Sequence, residues 1–169
     1  MIMANWLFKT LRGRYHVIDR LKGLAENRTT WIVRQIAYRD LIRPGDVGYV
    51  WLHDAANDML SGLVATAEVT HGVDLRSELP WELPYWDEAF RPTGHEREHL
   101  LLADFKRRIE LIPRARIEDD MPSLRDMPAL SVDHAYDMVV PLTECETRAL
   151  AEMVQRCGWD LPNTTKTAS

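Results

Sequence analysis

The segment His95-Glu96-Arg97-Glu98-His99 is the one stretch whose residue types and spacing spell out a known chemistry. On a helix, residues four apart share a face, so His95 and His99 could hold zinc while Glu96 acts as general base for a hydrolysis. Glu118 is available by count as a third ligand. The surroundings argue otherwise. Pro92 and Gly94 stand just before the motif, and a strand-like pattern follows His99. Glu118 sits in the run Glu118-Asp119-Asp120, which suits a solvated loop. The favoured expectation is therefore no metal, no cofactor and no catalytic residue, with a zinc-dependent hydrolase on these five residues as an alternative.

Other catalytic signatures are missing from the sequence. There is no Pro-Cys-x-x-Cys of the zinc deaminases, no Gly-x-Ser-x-Gly, no P-loop and no dinucleotide Gly-x-Gly-x-x-Gly. Cys145 and Cys157 fall in one expected helix, 12 residues and so roughly 18 Å apart. A disulfide spans about 7 Å at most between Cα atoms. Both thiols are expected to be buried in the core, which removes them as nucleophiles.

The aromatic residues say more. The chain holds six tryptophans. Trp6, Trp31 and Trp51 fall on expected strands near the start, where core packing is the ordinary role. Trp81, Tyr85 and Trp86 lie between prolines in a stretch without sustained period, where packing alone explains them less well. Rings converging on a pocket can sandwich a planar base, at about 1–3 kcal/mol per stack.

Charge and composition bound the partners. Of 169 residues, 46% are apolar and 28% charged, an ordinary balance for one domain with a core of its own. No apolar run approaches the 18 or so residues that a membrane span needs. The first residues, Met1 to Trp6, show no secretory pattern, so the expected location is the cytoplasm. The net charge of −5 argues against a long non-specific grip on a phosphate backbone. Its distribution is uneven, however: residues 1–43 carry nine Lys/Arg against three Asp/Glu. Lys9, Arg12 and Arg14, with Lys106, Arg107 and Arg108 further on, are the expected phosphate contacts.

These side chains must be positioned by elements that the pattern outlines. Residues 5–9 read as a buried strand, 15–26 as an amphipathic helix and 29–33 as a strand rich in β-branched and aromatic residues. A short helix is possible at 34–41. Arg43-Pro44-Gly45-Asp46 is a turn, and 47–53 with 62–70 form a hairpin. Residues 71–100 read as a long loop. A long strand is expected from 101 to 112, with a continuation to 117, and 118–128 as loop. Thr143 with Glu146 forms a capping box at the head of a helix that Gly158 ends. Cys145, Ala149, Leu150, Met153 and Val154 are its expected inward face. Residues 161–169 are an expected disordered tail. The element order excludes a doubly wound parallel sheet and implies a mixed sheet or small barrel with helices around it.

Within this frame several motifs are colinear with one family. Trp31-Ile-Val-Arg-Gln, then Ile42-Arg-Pro-Gly-Asp46-Val-Gly-Tyr-Val-Trp51, then Gly62-Leu-Val-Ala-Thr-Ala-Glu-Val69 resemble the EVE domain pattern. The opening Asn5-Trp-Leu-Phe8, the later Arg107-Arg-Ile-Glu-Leu111 and the closing Leu130-Ser-Val132 and Val140-Pro-Leu-Thr-Glu144 extend the match over roughly 5–157. The resemblance implies an α+β, PUA-like fold, a mixed sheet or small pseudo-barrel flanked by helices and occupying residues 1–160. It also implies a relationship to the YTH readers of methylated RNA. The function implied is a non-catalytic module that recognises a methylated or hydroxymethylated base of DNA or RNA, flipped into an aromatic cage. By position, Trp31 is one wall of that cage, partly exposed when empty. The segment holding Trp81, Tyr85 and Trp86 supplies the facing wall, and Trp51 is a further candidate. An effector protein acting with this reader is a further expected partner, and a protein-interaction domain on the same fold is the remaining alternative.

Overall fold

In the computed structural model, residues 3–23, 26–54, 56–120 and 138–161 are described. They build one mixed sheet with short helices against it. The strands are β1 (Asn5–Leu11), β2 (Arg28–Ile32), β3 (Val47–His53), β4 (Gly62–Ser77), β5 (Arg97–Pro113), β6 (Val139–Pro141) and β7 (Gly158–Asp160). The helices are α1 (Val17–Lys22), α2 (Ile36–Arg39), α3 (Arg114–Asp120) and α4 (Glu144–Cys157). Strand order is β2-β5-β4-β3-β1-β6, with β7 also paired to β5. β1 runs parallel to β3, and the other pairings are antiparallel. This is the α+β architecture, a mixed sheet flanked by helices, that the sequence implied.

Two apolar layers cover the two faces of the sheet. Phe8, Val50, Leu52, Val64 and Phe105 join Trp6 and Trp31 in one cluster. Leu7, Tyr49, Trp51 and Leu63 face the other way and meet Ile117, Leu150, Met153 and Val154 of α3 and α4. Successive strand side chains point to opposite faces. With both faces covered, Trp6 to Thr10 and Gly48 to His53 are all buried. That continuous burial is why Trp6–Phe8 and Tyr49–Leu52 read as unbroken apolar runs within them.

The turn before β3 forms as expected. Gly45 adopts φ of 94°, which its missing Cβ permits, and the Asp46 amide donates to the Arg43 carbonyl at 3.1 Å. The buried Asp46 carboxylate then accepts from the Ala4 amide, the Trp6 indole and the Arg43 amide, each at 3.0 Å. One charged side chain thereby ties the start of β1 to the start of β3.

Several expectations need correction. The helix expected at 15–26 spans only Val17–Lys22. Residues 71–77 and 97–100 belong to β4 and β5, so the connection between them is 78–96. Bulges between Val69 and His71 and between His71 and Asp74 break the alternation at the end of β4, and Arg97 and Glu98 at the start of β5 are exposed. Residues 114–120 form α3, where strand and loop were expected. Residues 121–137, with the expected loop to 128 and Leu130–Val132, lie outside the described residues, as does 162–169 of the expected tail. Leu161 is described, and its amide donates to the Lys106 carbonyl at 2.8 Å.

The capping box at α4 is present in both halves. The Glu146 amide donates to Thr143 Oγ1 at 3.2 Å, and the Thr143 amide to Glu146 Oε1 at 2.8 Å. Leu150, Met153 and Val154 are buried, with Ala149 packed beside them. Cys145 and Cys157 are exposed, contrary to the expected buried thiols. Cys145 stands in the first turn of α4, and Cys157 is its last residue, where the helix hands over to β7.

A candidate base-binding cavity

The first strand of the order, β2, comes back to β1, the last strand but one. β1 and β2 share no ladder, yet the Trp31 indole of β2 donates to the Lys9 carbonyl of β1 at 3.0 Å. The seam between these strands opens into a cavity of about 220 Å³. That is small beside the roughly 300–1,000 Å³ of pockets for drug-sized ligands. It suits a single flat ring system. Thr10 and Leu11 line it from β1, and Thr30, Trp31 and Ile32 from β2. Arg76 and Glu78 close it at the end of β4, and Trp86 with Phe90 from the following segment.

Trp31 is mostly core. It is 6% exposed, stacks on Phe8 with ring centroids 5.1 Å apart, and meets Phe105 edge-on. The expectation of a partly exposed wall is therefore not met: Trp31 forms the floor of the cavity over a packed aromatic layer. Trp86 is the more open ring. It is half-buried, leans on Tyr15, and donates through its indole to Glu78 Oε2 at 3.2 Å.

The other expected ring positions fall elsewhere. Trp51 is fully buried in the layer under α4, because neighbouring Val50 and Leu52 take the inner face. Trp81 donates to the Arg28 carbonyl at 2.8 Å and does not line the cavity. Tyr85 turns toward α1: its carbonyl accepts from the His16 amide, and a Cβ at Gly23 would collide with its hydroxyl. Residues 81–86 thus divide between anchoring this segment and facing the seam.

A buried polar network holds that segment. Glu82, 1% exposed, accepts from Tyr15 Oη and from Arg20 Nε at 2.9 Å. Arg20 also donates to the Arg28 carbonyl at 3.0 Å. Burial and the neighbouring Glu82 carboxylate push the Tyr15 phenol well above its ordinary pKa. Glu78 accepts from Thr30 Oγ1 at 2.5 Å and from the Leu79 amide at 2.9 Å. Burial raises the pKa of its carboxyl, and those two donors only partly oppose the rise.

The cations around the seam differ from those expected. Lys9 lines the cavity but is buried. Arg14 stands at the mouth with its guanidinium 4.6 Å from the Phe90 ring centroid. Arg34 and Arg76, not anticipated from the sequence, line it too. Arg76 hydrogen-bonds the Leu100 and Gly72 carbonyls, whereas Arg34 is exposed. Arg12 pairs with Asp54 at 3.2 Å away from the cavity. Lys106 pairs with Glu68 at 3.9 Å and Arg107 with Asp160 at 3.1 Å. These residues, with Arg108 on β5, do not line the cavity. Glu96 and Glu98 give the β5 side of the mouth an acidic character.

The zinc motif does not form. His95 and Glu96 lie in a turn, and Arg97 to His99 open β5, so the four-residue spacing places the histidines on no shared helical face. Glu118 falls in α3. Among the described residues, no group of three or more His, Cys, Asp or Glu is placed to hold a metal.

No family model matches the chain, and no curated protein sequence matches it. Solved structures do. The fold is that of the EVE-type, PUA-like domains. A hypothetical protein from Leishmania major aligns over 92% of this chain and 96% of its own, with TM-score 0.60 and 18% identity. The DUF55 domain of human thymocyte nuclear protein 1 aligns over 89% and 98%, with TM-score 0.56 and 15% identity. Human THYN1 solved in complex with DNA containing 5-methylcytosine aligns over 89% and 96%, with TM-score 0.54 and 14% identity.

Proposed function

We propose that the chain is a non-catalytic nucleic-acid-binding module that takes one modified base, flipped out of DNA, into the seam cavity between β1 and β2. The observation that carries this reading is the cavity itself: Trp31 as floor and Trp86 as side wall, with polar groups around them. Trp86 offers the stacking face, and Ile32 and Leu100 offer apolar contact for a methyl group. Flipping a base out of the stack costs a few kcal/mol. Arg14 and Arg34 at the mouth would offset part of it through flanking phosphates, with the strand leaving on their side and away from Glu96 and Glu98.

The solved complex of THYN1 with 5-methylcytosine DNA supports this reading through the shared fold. Binding is favoured over catalysis because, among the described residues, no His, Cys or Ser lines the cavity, and Glu82 is bound to Tyr15 and Arg20. The test is a tryptophan fluorescence titration with short DNA oligonucleotides carrying 5-methylcytosine, 5-hydroxymethylcytosine, cytosine or an abasic site at one position. Tighter binding of a modified base than of cytosine or the abasic site supports the module. Equal binding of all four at moderate salt refutes it. The same series in RNA decides the polymer.

A further inference from the structure

The free edge of β2 and the side chain of Glu78 form the hydrogen-bonding side of the cavity. β2 pairs with β5 through its odd-numbered residues and their neighbours in phase. The Asn27 carbonyl accepts from the Phe105 amide and the Val33 amide donates to the His99 carbonyl, both at 2.9 Å. Alternate residues of an antiparallel strand turn their polar groups to opposite edges. Thr30 and Ile32 therefore direct amide and carbonyl away from β5. Arg28 has the same phase, and its carbonyl accepts on that edge from Arg20 and Trp81. No strand among the described residues pairs with this edge, and Thr30 and Ile32 both line the cavity.

Glu78 faces the same space. Its Oε1 accepts twice, from Thr30 Oγ1 and the Leu79 amide, and its Oε2 accepts once, from the Trp86 indole. A carboxylate has about four acceptor sites, two on each oxygen. One position on Oε2 is left, and three donors from three directions fix its aim. Glu82 is set deeper than Glu78: it is 1% exposed and ion-paired with the buried Arg20, with Tyr15 on its other oxygen.

Resting on the base-binding reading above, we propose that Glu78 selects the bound base by its exocyclic amino group. The remaining Oε2 position accepts from the N4 amino group of a cytosine ring or the N6 amino group of an adenine ring. A free amide of the β2 edge donates to the adjacent ring nitrogen. A thymine or uracil ring turns a carbonyl oxygen toward Glu78, so two acceptors face each other with water excluded and neither is satisfied. Glu78 is thus a specificity-determining residue of a binding site, and no bond is made or broken.

Single-stranded DNA oligonucleotides with one 5-methylcytosine, one thymine or one abasic site at the same position test this. The first two share ring and methyl group and differ in the amino or carbonyl group and the adjacent nitrogen. Wild type is expected to prefer 5-methylcytosine over thymine by about tenfold or more. Glu78→Gln, whose amide can present oxygen or NH2, should bring the pair to within about twofold of each other. If wild type binds both bases equally, yet tighter than the abasic site, the amino-group proposal fails and the base cavity stands. If wild type prefers neither base to the abasic site, the cavity reading fails and takes this proposal with it. A preference unchanged in Glu78→Gln also overturns it. Should that variant melt early, Thr30→Val removes only the hydroxyl that holds Oε1, and an unchanged preference there overturns the proposal equally.

Discussion

The Trp31 indole lies on the Phe8 ring with planes 26° apart, so the floor of the cavity is also part of the packed core. Trp31→Ala should therefore cost about 3–5 kcal/mol of stability, as for emptying any buried tryptophan site. Trp86→Ala should be much milder on stability and should lose about 1–3 kcal/mol of base binding. Denaturant melts of both variants, with oligonucleotide titration of Trp86→Ala, check the division. A Trp31→Ala protein as stable as wild type would remove that residue from the core.

Arg20 and Glu82 are both almost fully buried and joined at 2.9 Å. Removing one partner strands a charge in a dry site, which costs about 3–5 kcal/mol. Glu82→Ala should unfold at markedly lower denaturant, and it should also loosen the segment that carries Trp86. Chemical denaturation of Glu82→Ala and of Arg20→Met reads this, and a loss under 1 kcal/mol in both would contradict it.

The exposed guanidinium of Arg34 should act as a phosphate contact. Arg34→Ala should leave the melting temperature unchanged, weaken binding to all sequences alike, and reduce the slope of log affinity against log salt by about one unit. Arg107→Ala, whose guanidinium already pairs with Asp160, should alter that slope little. Salt titrations of the two variants side by side give the comparison. A larger effect from Arg107 would place the nucleic acid on the β5 face.

Met153 is buried beneath the sheet while Cys145, two turns earlier on α4, is exposed. Met153→Asp should abolish cooperative folding, because an unpaired charge would be buried. Both cysteines of the native wild type should react with a thiol reagent without denaturant. Thiols that react only after unfolding would return them to the core.

Burial and the neighbouring Glu82 carboxylate raise the pKa of Glu78 in the folded protein. A carboxyl with a raised folded pKa binds its proton more tightly when folded, so its contribution to stability falls as pH rises from the ordinary glutamate range through the raised value. Tyr15, Arg14, Arg76, Glu96 and Glu98 also line the cavity and shape that field. The melting temperature of wild type minus that of Glu78→Gln should accordingly decrease across that window and level off above it. A difference independent of pH would show that Glu78 keeps an ordinary pKa.

The residues that make this fold were legible where a local signal and the tertiary requirement agree. The Thr143–Glu146 box, the Pro44-Gly45 turn and the unbroken apolar runs of β1 and β3 each carry their structure within a few residues. Capping, positive φ and two-sided burial are properties of short segments. The far end of β4 was not legible, because its bulges break the two-residue period, and the start of β5 was not, because Arg97, Glu98 and His99 read as a solvated polar run. The cavity was half legible. That Trp31 and the 80s segment face each other was implied by the family resemblance, but which ring faces the seam depends on how residues 81–86 are folded back by Tyr15, Arg20 and Glu82. Arg34, Arg76 and Glu78 carry no local mark, since a charged residue at a strand end reads as solvated surface. Only the curling of the sheet, which brings β2 back to β1, sets them around one space, and that closure is a sum of contacts between residues distant in the chain.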